Sequence, residues 1–154
     1  MNVLQISAVA CAFISLLFLL IALGSDYWLQ SSVHNTGLWV GCYSKEGCGS
    51  FGMDVPDYYH ATRAFMFFGM IAGAVSCLGL CGKCFDFQFG SLSKAKTAAI
   101  ASLVAALCVM IAMATFTGQT GSNASYGWSF GLGWASFPLF LVTGVLAFLL
   151  DGSA

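Results

Sequence analysis

Residues 3 to 24 contain no charged side chain, and that run constrains the chain more than any other feature. As a helix at about 1.5 Å per residue it is roughly 33 Å long, enough to cross a hydrocarbon core of about 30 Å. Three more apolar spans follow, at about 64–81, 97–116 and 128–150. None of the four contains Asp, Glu, Lys, Arg or His. In lipid the backbone must satisfy its own polar groups, and a helix does so within one segment. Charged residues make up 7% of the chain and hydrophobic ones 59%, where a soluble domain carries about 25% charged. These features predict an integral membrane protein. A net charge of -1 offers no basic footprint for nucleic acid. A cleavable signal peptide is the competing reading of the first run, since Ala22-Leu23-Gly24 resembles a cleavage site. The run exceeds a signal core of about 7–15 residues and no basic residue precedes it, which favours a retained helix.

The loop at about 25–62 is the longest polar stretch. Tyr27-Trp28-Leu29 and Leu38-Trp39-Val40 have high β propensity, and His34-Asn35-Thr36-Gly37 supplies turn residues between them. Lys45-Glu46-Gly47 forms a second turn that returns Cys42 towards Cys48. Trp28 and Trp39 are expected at the membrane surface, where an amphipathic ring is well accommodated. The prediction is a small antiparallel sheet, with Asp54, Pro56 and Asp57 breaking the pattern before the second span. The other outer loop is at about 117–127.

Lys83, Lys94 and Lys96 lie in the middle loop, close to membrane ends. The positive-inside rule therefore sets that loop and both termini in the cytoplasm, and the cysteine-bearing loop outside. There the compartment is oxidising, so Cys42 and Cys48 are expected to form a disulfide worth roughly 2 kcal/mol. Cys77, Cys81 and Cys84 fall on one helix face at the cytoplasmic end. Cys81 and Cys84 suit S-palmitoylation, and plain thiols fit the same positions. Zinc would need further ligands, and His34 and His60 belong to the other side. Asn123-Ala124-Ser125 is a glycosylation sequon in a loop that hugs the membrane.

Trp28, Gly37-Leu38-Trp39, Cys42 and Cys48, in that order between two hydrophobic spans, resemble the first-loop signature of the claudin superfamily. That group includes claudins, peripheral myelin protein, the epithelial membrane proteins and the lens fibre membrane intrinsic protein. Tyr59-His60-Ala61-Thr62-Arg63-Ala64-Phe65-Met66 and Tyr126-Gly127-Trp128 through Trp134 are similar to the lens and epithelial branch. The resemblance implies one claudin-like tetraspan domain over 1–154, a mainly α four-helix transmembrane bundle with a small extracellular sheet. Claudins proper space the tryptophans and the cysteines further apart, which weighs against a paracellular pore or barrier. Arg63 stands at the outer boundary of the second span. It either snorkels among headgroups or pins the loop to the bundle through an ion pair or a carbonyl, and the resemblance favours pinning. Asp26, Asp54 and Asp57 are the carboxylates on offer.

Intramembrane charges usually mark ion paths and proton relays, and the spans as drawn hold none. No nucleophile–base set or phosphate loop is evident, so neither an enzyme nor a cofactor is expected. Gly69-x-x-x-Gly73 permits close helix contact, within the chain or between chains. The expected function is structural: contact between cells or molecules at the plasma membrane, with self-association. The exposed turns for it are His34-Asn35-Thr36 and Ser44-Lys45-Glu46-Gly47. An auxiliary subunit of a channel or receptor is the alternative. An engineered cysteine at Ser93 should resist an impermeant thiol reagent in intact cells; strong labelling there would overturn the topology.

Overall fold

The computed structural model describes residues 3–45, 47–50, 55–81, 94–120 and 125–153. Its elements run α1 (Val3–Gly24), β1 (Leu29–Gln30), β2 (His34–Thr36), β3 (Val40–Tyr43), β4 (Gly47–Ser50), α2 (Asp57–Leu80), α3 (Lys94–Thr120) and α4 (Trp128–Ser153). All four helices are long and apolar enough to cross a membrane. The strands form one antiparallel sheet in the order β1-β2-β3-β4.

α1 matches the uncharged run. The other helices exceed the apolar windows. α2 begins at Asp57, not Ala64, because Pro56 sits at its N-cap with φ -56 and Asp57 occupies its first turn. Proline loses no bond at a helix start, and an acid there complements the helix dipole. Asp57, His60 and Arg63 thus lie inside α2, Lys94 and Lys96 inside α3, and Asp151 inside α4. The spans as drawn stay uncharged, and the charged groups occupy the helix turns that extend beyond them. α4 runs unbroken through Pro138.

α1 packs on α2 and α4, and α3 packs on the same two from the opposite side. Leu19, Met66, Val109, Met113 and Phe140 fill the centre and are fully buried. Ile6, Phe13, Leu17, Leu107, Val145 and Leu149 face outward, as a lipid solvent permits. Gly69 and Gly73 face inward. A side-chain carbon on Gly73 would lie 2.9 Å from Phe140 Cζ, and one on Gly69 would lie 3.1 Å from Val109 Cγ2. The glycine pair therefore serves contacts within the chain. Hydroxyls join the helices too: Ser76 to Ser102, Ser15 to Thr143 at 3.4 Å, and Thr62 to the Ala112 carbonyl at 3.4 Å. Such bonds in a bundle contribute about 0.6 kcal/mol each.

The sheet differs from the expected one in register. His34, Asn35 and Thr36 are not a turn; they are strand β2, paired with β1 through Leu29↔Thr36 and with β3 through Asn35↔Cys42. The turn lies earlier. Ser31 Oγ accepts the backbone N–H groups of Val33 and His34, both at 3.3 Å. That serine turn closes the hairpin and frees the following residues to pair. Of the two segments read as strands, only Leu29 and Val40 are in strands; Trp28, Leu38 and Trp39 lie in the connections.

A bulkier residue at Gly73 meets the rigid Phe140 ring. Gly73→Val should lower stability by about 1–3 kcal/mol. Gly131, where an added carbon meets nothing within 4 Å, should accept alanine without loss. Thermal unfolding of both variants in detergent checks the contrast.

Candidate functional site

One end of the bundle carries the sheet, and Trp28 is the peg between them. A helix leaves its last carbonyls without partners. At the end of α1, Ser25 N–H takes the Ile21 carbonyl at 3.0 Å, and the Trp28 indole N–H takes that of Ala22 at 2.6 Å. Trp28 is fully buried within the protein. Its ring meets Phe116 edge-on at 4.9 Å, and Phe116 also touches Tyr58, Tyr59 and Phe130. Its backbone bonds the sheet as well: Trp28 N–H donates to the Thr36 carbonyl at 2.9 Å.

Gly37-Leu38-Trp39 makes the second attachment. The Gly37 N–H donates to the Val40 carbonyl at 2.9 Å, so the chain doubles back and drives Leu38 into the bundle, where it is fully buried. Gly37 must be glycine. Any side-chain carbon there would strike the Ser25 carbonyl oxygen and lie 2.9 Å from Asp26 Cα. The Leu38 carbonyl is then left away from water and needs a donor. Arg63 supplies two: Nε at 2.9 Å and Nη2 at 2.6 Å. Of the two readings of Arg63, the carbonyl contact is the one observed. The guanidinium carbon also lies 4.3 Å from the centre of the half-buried Trp39 ring, a cation–π contact worth about 0.5–2 kcal/mol. Arg63 itself is only 4% exposed.

The remaining attachments are at the edges. Cys42 and Cys48 face each other across β3 and β4 and form a disulfide, with Cα atoms 4.0 Å apart. β4 is exposed along its length, so the bridge holds a hairpin that has little core of its own. At the other edge Gln30 N–H donates to the Ser125 carbonyl at 2.8 Å, Gly127 N–H to that of Trp28 at 3.0 Å, and Leu29 bridges Tyr126. The start of α4 is thereby joined to β1. Gly127, like Gly37, has no room for a side chain, here because of the Tyr27 carbonyl. At the distal end the sheet is open. Val33 is 60% and Tyr43 44% exposed, with Ser31, Ser32, Ser44 and Lys45 around them. The His34 ring stacks on Tyr43 at 5.6 Å.

Among the described residues, no group of three His, Cys, Asp or Glu side chains is placed to hold a metal ion. The arrangement is mechanical: a sheet pegged, clamped and stapled to a bundle, with an exposed outer end. A family model for PMP-22/EMP/MP20/Claudin matches residues 1–147. The chain belongs to this family. Protein NKG7 of Homo sapiens is 30% identical over 146 residues, 87% of this chain and 83% of that protein. The Homo sapiens lens fiber membrane intrinsic protein is 28% identical over 148 residues, 88% of this chain and 84% of that protein. Epithelial membrane protein 2 of Danio rerio is 29% identical over 153 residues, covering 88% and 89% respectively. The family and the four spans together make this a multi-pass membrane protein.

Trp28, Gly37, Leu38, Trp39 and Arg63 come together at one level, although Arg63 lies 25 residues from its acceptor. Of the contact turns expected from sequence, Ser44, Lys45 and Gly47 are exposed, His34 and Asn35 are half-buried, and Thr36 is buried. Cys81 is partly exposed, at the C-terminal end of α2. Glu46, Cys84 and Asn123 lie outside the described residues. Ser31 and Phe116 were missed. The Ser31-Ser32 pair before Val33 was a turn signal in plain view, whereas nothing local separates Phe116 from other aromatics in the spans.

Replacing Arg63 removes both donors from a buried carbonyl. Arg63→Met should cost about 1–3 kcal/mol, and Arg63→Lys should rescue only part, since an ammonium cannot reproduce the fork. Limited proteolysis between residues 25 and 56 reads the effect as earlier cleavage, in the order Met, Lys, Arg. Equal resistance of all three would show that the clamp does not hold the sheet.

Proposed function

We propose that this chain is a structural protein of the plasma membrane, whose bundle holds a stiff extracellular sheet against a neighbouring molecule at cell–cell contacts. The observation that carries this reading is a contrast within the sheet. Its base is fastened through Trp28, Leu38, the Arg63 fork and the Ser125–Gly127 segment, while its distal end leaves Val33 and Tyr43 exposed. A sheet fastened in this way transmits force and position, and an exposed apolar tip suits weak, shape-based contact. Relatives named for lens fibre and epithelial membranes support the same direction.

In this reading both termini are cytoplasmic and the sheet is outside. The middle-loop lysines and the Cys42–Cys48 bridge support that orientation. The contact surface is the Ser31–Val33 turn with Tyr43, Ser44, Lys45 and the turn that follows. His34 and Asn35 support it from β2. Cys81 is an acyl acceptor at the inner face. A surface this small binds weakly one copy at a time, so adhesion arises from many copies in a lateral array, where effective concentration multiplies weak bonds.

Clustering at contacts is expected only when both apposed cells carry the protein. Substituting the 31–33 turn or the 44–47 turn should abolish clustering without reducing delivery to the surface. If both variants cluster like the parent, the tip is not the contact surface. Recovery of a stoichiometric channel or receptor in mild detergent would then favour the auxiliary-subunit alternative.

A further inference from the structure

Tyr27, Gln30, Ser31, His34, Asn35 and Tyr43 line a depression of about 300 Å³ on the sheet. An adjoining hollow shares Gln30, Ser31 and His34 and ends at Ser125. Each is at the small end of the size range for ligand clefts. Among the described residues neither has an Asp, Glu, Lys or Arg in its lining, so these residues offer no counter-charge to a phosphate, a carboxylate or an ammonium group. Besides Leu29, Val33 and Cys42, the lining carries amides, hydroxyls, an imidazole and phenols, which both donate and accept hydrogen bonds. A ligand hydroxyl likewise does both. Beside these groups stands Tyr43, 44% exposed and held by its parallel stack on His34. The negative face of such a ring attracts the polarised C–H groups of a saturated ring. Convergent amides and hydroxyls next to an exposed aromatic ring match a sugar. A peptide strand is less well served, because the β1 edge is already paired with Ser125 and Tyr126.

Position narrows the source. Tyr27 stacks on Trp128 at 5.5 Å, and Trp128 is 51% exposed at the first residue of α4. Tryptophan at a helix end marks the membrane–water interface. One side of the depression is therefore a single ring away from the lipid surface, at headgroup height. We infer that the depression is a binding site for neutral carbohydrate, taking the sugar headgroup of a membrane glycolipid. The inference does not rest on the contact role, since a copy that never clusters could still hold the sugar.

The test uses the full chain in phosphatidylcholine nanodiscs doped with glucosylceramide, ceramide or sphingomyelin, with bound lipid read by native mass spectrometry. Glucosylceramide should be retained over both others. Tyr43→Ala and Gln30→Ala should each reduce retention by about tenfold, the equivalent of one lost contact of about 1.4 kcal/mol. Tyr43→Phe should keep most of it, because the ring remains; this also separates loss of the site from loss of the fold. Lactose in solution, read by saturation-transfer NMR, distinguishes the source. Transfer to lactose without retention of glucosylceramide supports the site and assigns it to protein-linked glycans. Retention of sphingomyelin equal to glucosylceramide, no response to either sugar, or unchanged binding in the Tyr43→Ala and Gln30→Ala variants would each overturn the inference.

Discussion

A carbonyl driven into the top of the bundle must find a donor there, and much of this structure follows from how Leu38 finds one. Burying Leu38 brings apolar area out of water but takes its backbone oxygen along. Leaving that oxygen unpaired would cost about 1–3 kcal/mol. Arg63 answers with two donors at 2.9 and 2.6 Å. Its own charge is eased by the acceptor and by the Trp39 ring at 4.3 Å. Lysine is a single ammonium point and cannot supply the same planar fork. Trp28 repeats the solution at α1, filling space with its ring and serving the Ala22 carbonyl with its indole N–H. At both points one side chain combines packing with polar satisfaction, which suits a boundary that is neither fully wet nor fully apolar.

Below that boundary the rules change. Lipid is as apolar as leucine, so burying leucine does not drive the helices together. Close approach at Gly69, Gly73, Gly133 and Gly144, with hydroxyl pairs such as Ser76–Ser102, does that work. These glycines face neighbouring helices of the same chain. The lipid-facing side chains are large and apolar, among them Phe13, Phe68 and Phe148.

The two regimes bear on function through stiffness. The base of the sheet is held by hydrogen bonds to three separate regions: the end of α1, α2 and the entry to α4. Among the described residues its distal turns are held by local bonds, such as those of Ser31 and of the Ser44 N–H to the Val33 carbonyl. Variation in those turns can therefore alter what the molecule touches without loosening what holds it. The depression that these turns help to line carries amides, hydroxyls and an imidazole, a second kind of chemistry.

Much was legible from residue order alone. Uncharged runs of helical length establish four spans, because lipid tolerates few alternatives. The close pair Cys42 and Cys48 forms the expected bridge. Gly37-Leu38-Trp39 marks the loop, and the carbonyl role of Arg63 was among the readings of it. Helix starts such as Asp57 were also written in the chain but hidden by hydropathy, because Tyr58-Tyr59-His60 is not lipid-like. Tertiary structure decided the rest. Which carbonyl Arg63 serves depends on a segment 25 residues away. Whether His34-Asn35-Thr36 turns or pairs depends on strands on both sides. Whether Trp28 lies at the lipid surface or inside depends on Phe116 and Phe130 from other helices. Propensity and hydropathy are local sums. Pairing a buried polar group, or filling a particular space, is a property of the partners that the fold brings to it.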